Sequence, residues 1–212
     1  MSLSFYLEAP VSLAILLVTI GVSIWGLLDE DMRDKQVLVP YDTLMYKEYW
    51  RILSSGFVHG NVMHLVLNMT TLFFFSFIVE HRLGHWQFAL LYFLGLLLSN
   101  GATLLRYRDD TAYEGSVGAS GAISAVVLSA VLLNPYIRFG LPFLSERYPW
   151  LFLPGYIVAA AYLVYSLVNT FLPSKLNVNH LAHLSGALAG IGITFLVKPG
   201  LAEMLERFVR NM

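Results

Sequence analysis

Five polar side chains lie in otherwise apolar stretches of the sequence, and they are of the types used in nucleophilic catalysis. They are His64, Asn68, Ser120, Ser124 and His183. Polar and ionisable groups are costly inside a membrane and mark functional sites there. A serine hydroxyl becomes an effective nucleophile when a neutral imidazole takes its proton, and nearby N–H groups can stabilise the resulting oxyanion. These residues indicate acyl transfer at a serine, provided that the fold brings them together.

The elements that must position these side chains are six long apolar runs, which the Asp, Glu, Lys and Arg residues avoid. The chain of 212 residues is 57% hydrophobic and 13% charged, with a mean hydropathy of +0.65. Each run has roughly the 17–25 residues that a helix needs to cross the hydrocarbon core of a bilayer. The sequence predicts an all-α polytopic membrane protein, in which residues 1–212 form one domain with six transmembrane helices. The predicted spans are Val11–Leu28, Val62–Val79, Trp86–Leu105, Val117–Leu133, Trp150–Leu172 and Leu181–Val197.

Alternate spans cross the membrane in the same direction, so the second, fourth and sixth spans begin on one side. His64, Ser120 and His183 each lie close to the start of one of these spans. At about 1.5 Å per residue they share a similar, shallow depth. Asn68 lies one turn deeper, on the same helix face as His64. We expect Ser120 to be the nucleophile and His183 its general base, with His64 and Asn68 as side-chain donors to the oxyanion.

Small residues allow the fourth and sixth spans to approach each other closely. Gly186 and Gly190 share one face of the sixth span in a small-xxx-small pattern, and Gly118 and Gly121 flank the serine of the fourth span. The N-terminus of a helix also leaves backbone N–H groups without intrahelical partners. The backbone N–H groups of Ser120 and Gly121 can therefore join the oxyanion donors.

The remaining stretches have properties that suit a membrane protein. Residues 29–61 form a long loop with acidic and aromatic residues typical of the membrane–water interface, and residues 200–212 predict a short amphipathic tail helix. The net charge of −1 argues against a nucleic-acid partner, and the absence of cysteine excludes disulfides and a thiolate nucleophile. The 13 Lys and Arg residues divide almost evenly between the two sides, so charge does not decide the orientation.

Five short motifs, in this order along the chain, resemble those of the rhomboid family of intramembrane serine proteases. They correspond to the family's first-loop motif, oxyanion segment, cap after the second helix, nucleophile motif and last core helix. The segments are Trp50-Arg51, His64-Leu65-Val66-Leu67-Asn68, Glu80-His81-Arg82-Leu83-Gly84, Gly118-Ala119-Ser120-Gly121 and Ala182-His183-Leu184-Ser185-Gly186-Ala187-Leu188-Ala189-Gly190. The resemblance covers roughly Tyr46 to Leu196.

The resemblance implies a six-helix bundle that hydrolyses a peptide bond in or near a transmembrane segment of a membrane-anchored protein, using a Ser-His dyad. It implies a water-filled cavity open to the periplasmic or extracellular side of a bacterial inner (cell) membrane, with both termini cytoplasmic. The implied partners are the lipid bilayer and the substrate, and no cofactor or metal is expected. Structural roles are implied for Trp50, Arg51, Glu80 and Arg82. The substrate, the cleavage-site preference and the oligomeric state are left open.

Two positions depart from the family pattern. Four residues after the nucleophile the family often has an aromatic residue that stacks on the catalytic histidine, whereas this chain has Ser124. How His183 is held is therefore open, and Ser124→Tyr is expected to keep or raise activity if the span has room for it. The family has a pair of glycines after the histidine. In this chain the first position of that pair is Ser185 rather than glycine, which should cost little packing.

Three alternatives to a protease are weighed from the same residues. A catalytically silent relative that binds membrane helices would generally have lost the serine or the histidine, and this chain keeps both. A metal site built from His59, His64, His180 and His183 lacks the His-Glu-x-x-His signature and any carboxylate within the spans. A transporter lacks support because no pair of interrupted helices and no buried acidic relay is evident.

Overall fold

The apolar runs form helices in a computed structural model that describes residues 3–140, 147, 152–172 and 178–211. The described helices are α1 (Leu3–Leu7), α2 (Pro10–Leu28), α3 (Glu30–Asp34), α4 (Pro40–Met45), α5 (Arg51–Ser54), α6 (Val62–Leu83), α7 (His85–Tyr107), α8 (Ser120–Leu133), α9 (Gly155–Phe171), α10 (His180–Val197) and α11 (Leu201–Arg210). A 3-10 turn, Ser55–Phe57, follows α5, and two strands, β1 (Arg138–Phe139) and β2 (Leu153–Pro154), pair antiparallel. The all-α fold class is confirmed, since these strands do no more than fasten one connection.

Six apolar helices make up the membrane bundle. Four of them, α2, α6, α7 and α10, are long and apolar enough to cross a membrane. The other two, α8 and α9, are also apolar but shorter, with 14 and 17 residues. These six helices correspond in order to the six predicted spans, and the protein is a multi-pass integral membrane protein.

Two predicted spans begin later in the structure than the sequence indicates. Helix α8 begins at Ser120 rather than at Val117, because Gly118 has a φ of +107°. Glycine adopts this conformation without the clash that a side chain would cause, and it interrupts a regular helix. Helix α9 begins at Gly155, directly after β2. The predicted first residues of that span, 150 and 151, lie outside the described part of the chain.

The second membrane helix, α6, continues past its predicted end because a buried charged residue of this helix binds backbone N–H groups of another helix. Helix α6 runs through Glu80 to Leu83, and the Glu80 side chain is fully buried. Its two carboxylate oxygens accept hydrogen bonds from the backbone N–H groups of Val11 (3.1 Å) and Ser12 (2.6 Å), in the first turn of α2. Those N–H groups have no intrahelical acceptor, so Glu80 caps the amino-terminal end of α2 from a neighbouring helix.

Helices α8 and α10 pack with their backbones in close contact. A Cβ atom on Gly186 would collide with the backbone of Gly121, and one on Gly190 would collide with the backbone of Ala125. Larger residues at either glycine would therefore push the two helices apart. This close approach is the packing that the small-xxx-small pattern predicts, and it sets the distance between the serine and the histidine carried by the two helices.

The long loop and the tail are both ordered against the bundle. Residues 29–61 contain α3, α4 and α5, and an isolated bridge joins Leu38 to Ser116 in the loop before α8. In the tail, α11 buries Leu201 and places Phe208 edge-on against Tyr136, while its charged residues are exposed. The tail is thus an amphipathic helix that lies on the end of the bundle opposite to Ser120. The connection over residues 134–149 is described only as far as Gly140 and at residue 147.

Candidate active site

Ser120 is presented by a turn that ends at the first residue of α8. The positive φ of Gly118 redirects the chain, and the Gly118 N–H donates to the Ser55 carbonyl (2.9 Å), which ties the turn to the long loop. Ser120 then begins the helix, with Ala119 as its N-cap residue. As first-turn residues, Ser120 and Gly121 have backbone N–H groups without intrahelical acceptors. The turn therefore places a hydroxyl and unpaired N–H groups at the same point.

His183 lies within hydrogen-bonding distance of this serine. Its Nε2 atom is 2.8 Å from Ser120 Oγ, and both side chains are half-buried. Helix α10 is oriented by Asn179, its N-cap residue, whose side chain accepts from the Ala182 N–H and donates to Thr103 and Ser116. In the described part of the chain no hydrogen bond joins His183 to a carboxylate. The two predicted residues are brought together as a pair without a third, acidic member.

The turn glycine leaves room for His64. A Cβ atom on Gly118 would lie 2.7 Å from His64 Cε1 and 2.9 Å from its Nε2, closer than a side chain tolerates. The imidazole therefore occupies the space against the turn, two residues before Ser120. Asn61, the N-cap residue of α6, accepts from the His64 N–H at 2.8 Å and fixes the start of this helix. His64 thus lies against the turn that presents Ser120.

Asn68 lies at the same site but already has a partner on its own helix. Its Nδ2 donates to the His64 carbonyl at 2.9 Å, and its side chain is almost fully buried. An amide nitrogen carries two hydrogens, so one is left for another acceptor. Asn68 and Ser120 line the same cavity.

That cavity is an apolar cleft bounded by α6, α8 and α9, with a volume of about 290 Å³. It extends from Ser120 along α8, past residues such as Leu67, Ile123 and Val127, towards Phe139. The Ser120 hydroxyl thus lies at the wall of a largely apolar cleft.

Two side chains contact the site in a way that the sequence did not indicate. Ser124 Oγ donates to the Ser120 carbonyl (2.8 Å) and lies 2.5 Å from the Tyr162 hydroxyl of α9. The Tyr162 ring stacks on His183, with centroids 6.3 Å apart and an interplanar angle of 26°. The available signal was weak: a tyrosine in an apolar run needs a hydrogen-bond partner, but the sequence does not say which one.

The four histidines considered as metal ligands are not arranged as a ligand set. No group of three or more His, Cys, Asp or Glu side chains that could hold a metal ion is found among the described residues. His59, in the loop before α6, is fully buried, and its Nδ1 lies 2.7 Å from Ser23 Oγ. Burial, and to a smaller extent the neighbouring His64, lowers the pKa of His59 to about 3, so this imidazole is neutral. His180 meets His183 edge to face.

The residues expected to have structural roles lie outside the cleft. Arg51 donates to Glu48 and to the carbonyls of Asp34 and Val37, which folds the long loop on itself. Arg82 donates to the Leu133 carbonyl at the end of α8. Trp50, directly before α5, is 54% exposed, which suits a position at the membrane interface.

Comparison with known proteins agrees with the motifs. The family model described as Rhomboid domain matches residues 46–200, well over half of the chain. The chain is similar to rhomboid-like protein 14, mitochondrial, of Arabidopsis thaliana, with 32% identity over 72% of this chain and 44% of the relative. It is also similar to the presenilin-associated rhomboid-like protein, mitochondrial, of Rattus norvegicus, with 31% identity over 66% of this chain and 36% of the relative. A Bacillus subtilis protein named as a candidate rhomboid protease is 26% identical, over 70% of this chain and 67% of the relative. The chain spans less than half the length of the Arabidopsis and rat relatives.

Proposed function

We propose that this chain, which belongs to the rhomboid family, is an intramembrane serine endopeptidase that cleaves transmembrane segments of membrane-anchored proteins. The observation that carries the proposal is the 2.8 Å separation of Ser120 Oγ and His183 Nε2 at one end of an apolar cleft. A silent relative that only binds helices would not need this pair at hydrogen-bonding distance.

In the proposed reaction His183 Nε2 takes the Ser120 proton as Oγ attacks the scissile carbonyl carbon. The tetrahedral intermediate collapses when the imidazolium gives that proton to the leaving amine and the C–N bond breaks. A water molecule then attacks the acyl group on Ser120, with its proton received by the same nitrogen. When the second tetrahedral intermediate collapses, the C–Oγ bond breaks and the imidazolium returns the proton to Ser120 Oγ. The acid product leaves as a carboxylate and the neutral pair is restored, so the cycle needs no cofactor or metal ion.

The oxyanion of each tetrahedral intermediate needs donors that are already in place. The backbone N–H groups of Ser120 and Gly121 are unpaired at the start of α8, and His64 lies against the turn before it. Asn68 has one amide hydrogen that is not used by the His64 carbonyl. We assign these four groups to the oxyanion site, with His64 as the principal side-chain donor.

The apolar lining of the cleft favours a substrate segment that arrives from the lipid. A bound transmembrane helix would have to become extended near Ser120, because the backbone carbonyl of a helix is occupied by its own hydrogen bond. We place the protein in a bacterial cell membrane with both termini cytoplasmic and the serine side facing outwards. This orientation is the one that the family resemblance implies, and the relative from Bacillus subtilis, of which the chain covers 67%, is a bacterial protein.

A fluorophosphonate probe tests the dyad directly. It should bond covalently to Ser120 in the detergent-purified protein, and labelling should fall sharply in His183→Ala, because the serine then keeps its proton. Cleavage of a transmembrane substrate should survive EDTA and disappear in Ser120→Ala. Ser129→Ala, which changes another buried serine of α8, is the matched control and should be labelled like the wild type.

The opposite pattern would overturn the proposal. Cleavage that is lost with chelator and persists in Ser120→Ala would indicate metal chemistry. A well-folded protein that is neither labelled nor active on several transmembrane segments would indicate the helix-binding alternative.

A further inference from the structure

We propose that Tyr162 of α9 is the positioning residue that sets the orientation of the His183 imidazole. The role rests on the proposed protease function. In the family an aromatic residue four positions after the nucleophile often stacks on the histidine, whereas this chain has Ser124 there. Tyr162 would take that role from a different helix.

The direct contact is the stacked pair of rings. Tyr162 lies nearly parallel to His183, at 6.3 Å and 26°, within the range at which aromatic rings interact favourably. His183 uses Nε2 for Ser120, and its ring still has freedom to rotate about its own side-chain bonds. A flat neighbour on one face restricts that rotation without competing for Nε2.

The tyrosine ring is itself fixed by a hydrogen-bond chain that ends at the nucleophile. Ser124 has one hydroxyl hydrogen, and it is given to the Ser120 carbonyl. The 2.5 Å contact between the two hydroxyls is a hydrogen bond, in which Tyr162 is the donor when Ser124 gives its own hydrogen to the Ser120 carbonyl. The chain Tyr162 to Ser124 to the Ser120 carbonyl places the ring in register with the first turn of α8.

Helix α9 buries few of its side chains, and among the described residues Tyr162 is one of those that link it to α8 and α10. Gly155 and Ser166 are its only buried residues, and many of its apolar side chains are exposed. Tyr165, one turn further on, meets His180 edge to face at 5.3 Å and does not contact the His183 ring. Tyr162 is thus the aromatic residue of α9 that joins this helix to the base.

The same contacts place positions 124 and 162 side by side. Ser124 is almost fully buried and its hydroxyl meets Tyr162, and both residues line the cleft, so a larger side chain at position 124 would lie against the Tyr162 ring or extend into the cleft. Two changes together, Tyr162→Leu and Ser124→Phe, move the ring from α9 to α8, because the first vacates the space beside His183 that the second fills.

The experiment measures cleavage kinetics together with fluorophosphonate labelling of Ser120. Tyr162→Leu should lower kcat about 10- to 100-fold with little change in KM, since a misplaced base affects the reaction rather than binding. Tyr162→Phe keeps the ring and should lose less than roughly tenfold. Tyr165→Leu is the matched control on the same helix and should behave like the wild type. Tyr162→Leu/Ser124→Phe should recover most of the lost kcat.

Two further measurements keep the proposal testable if the leucine variant folds poorly. Tyr162→Phe and Ser124→Ala remove the same hydrogen bond, so the double variant should be no slower than the slower single variant. The proton resonances of the His183 ring should be shifted by the stacked ring in wild type and in Tyr162→Phe, and this readout does not need activity. Additive losses, or a folded Tyr162→Leu as active as Tyr165→Leu, would overturn the positioning role. An unlabelled wild-type Ser120 would instead overturn the protease function.

Discussion

Gly118 satisfies two requirements at one position, and this links the turn to the chemistry. Its positive φ ends the loop and starts α8 at the serine, and its missing side chain leaves the space that the His64 imidazole fills. A larger residue would strain the backbone and displace the proposed oxyanion donor together. The start of α8 and the position of His64 are therefore set by the same glycine.

The donors His64 and Asn68 should contribute unequally. His64→Ala removes the imidazole that lies against the turn and should lower kcat by about 10²–10³, as expected for the loss of one oxyanion donor. Asn68→Ala should slow turnover less, because its amide is partly engaged with the His64 carbonyl. The check is kcat for both variants and for the double variant, at equal folded fraction. A double variant with unchanged kcat would show that neither residue stabilises the oxyanion.

Residue types and registers were enough to predict that Ser120 and His183 meet, because residues near the starts of parallel spans lie at one depth. The glycines at 186 and 190 predicted that their helices would touch, and a Cβ on either would collide with α8. Tyr162 could not be predicted in the same way. It is carried by the fifth membrane helix, which runs in the opposite direction, and sequence spacing does not relate its depth to that of His183.

At the scale of elements, the first membrane helix depends on the second for its amino-terminal cap. The residue before α2, Ala9, offers no side-chain cap, and Glu80 of α6 accepts the N–H groups of Val11 and Ser12 instead. His85, half-exposed at the start of α7, pairs with the same carboxylate at 2.6 Å. One buried carboxylate thus joins three helices.

Glu80→Gln should therefore lower the stability of the protein, with a smaller effect on the activity of each folded molecule. The amide presents an NH₂ group to one of the two backbone N–H donors, so one buried hydrogen bond to a charged acceptor is lost, at about 2–3 kcal/mol. His85→Ala removes only the half-exposed partner and should cost less than about 1 kcal/mol. Unfolding of both variants in detergent measures the difference. Equal stability of Glu80→Gln and wild type would exclude the capping role.

Apolar runs predicted where helices occur but not where they end. Charge was treated as the end of a span, so the predicted second span stopped before Glu80, whereas α6 continues to Leu83. The prediction failed there because backbone N–H groups of α2 donate to the buried Glu80 carboxylate and replace the water that it loses on burial. It failed at the start of α8 because Val117 is as apolar as the helix that follows, and only the backbone angle of Gly118 separates them.

At the scale of the whole molecule, the order of the helices places the serine and the tail on opposite sides. The loop between α7 and α8 lies on the side where α8 begins, and the bridge from Leu38 to Ser116 joins the long first loop to it. The tail helix α11 follows the end of α10 and so lies on the other side. This arrangement follows from the order of the helices alone, whereas the nearly even distribution of Lys and Arg between the two sides does not indicate which side faces the cytoplasm.

The proposed orientation can be measured because the chain has no cysteine, so a single introduced thiol is the sole target. Asp109, in the loop before α8, and Glu206, on α11, are both well exposed, with side chains 88% and 68% accessible. In intact bacterial cells a membrane-impermeant maleimide should label Asp109→Cys and leave Glu206→Cys unlabelled until the membrane is permeabilised. Both variants should keep wild-type cleavage, since neither side chain contacts the cleft. Labelling of Glu206→Cys alone in intact cells would reverse the orientation, and the serine would then open to the cytoplasm.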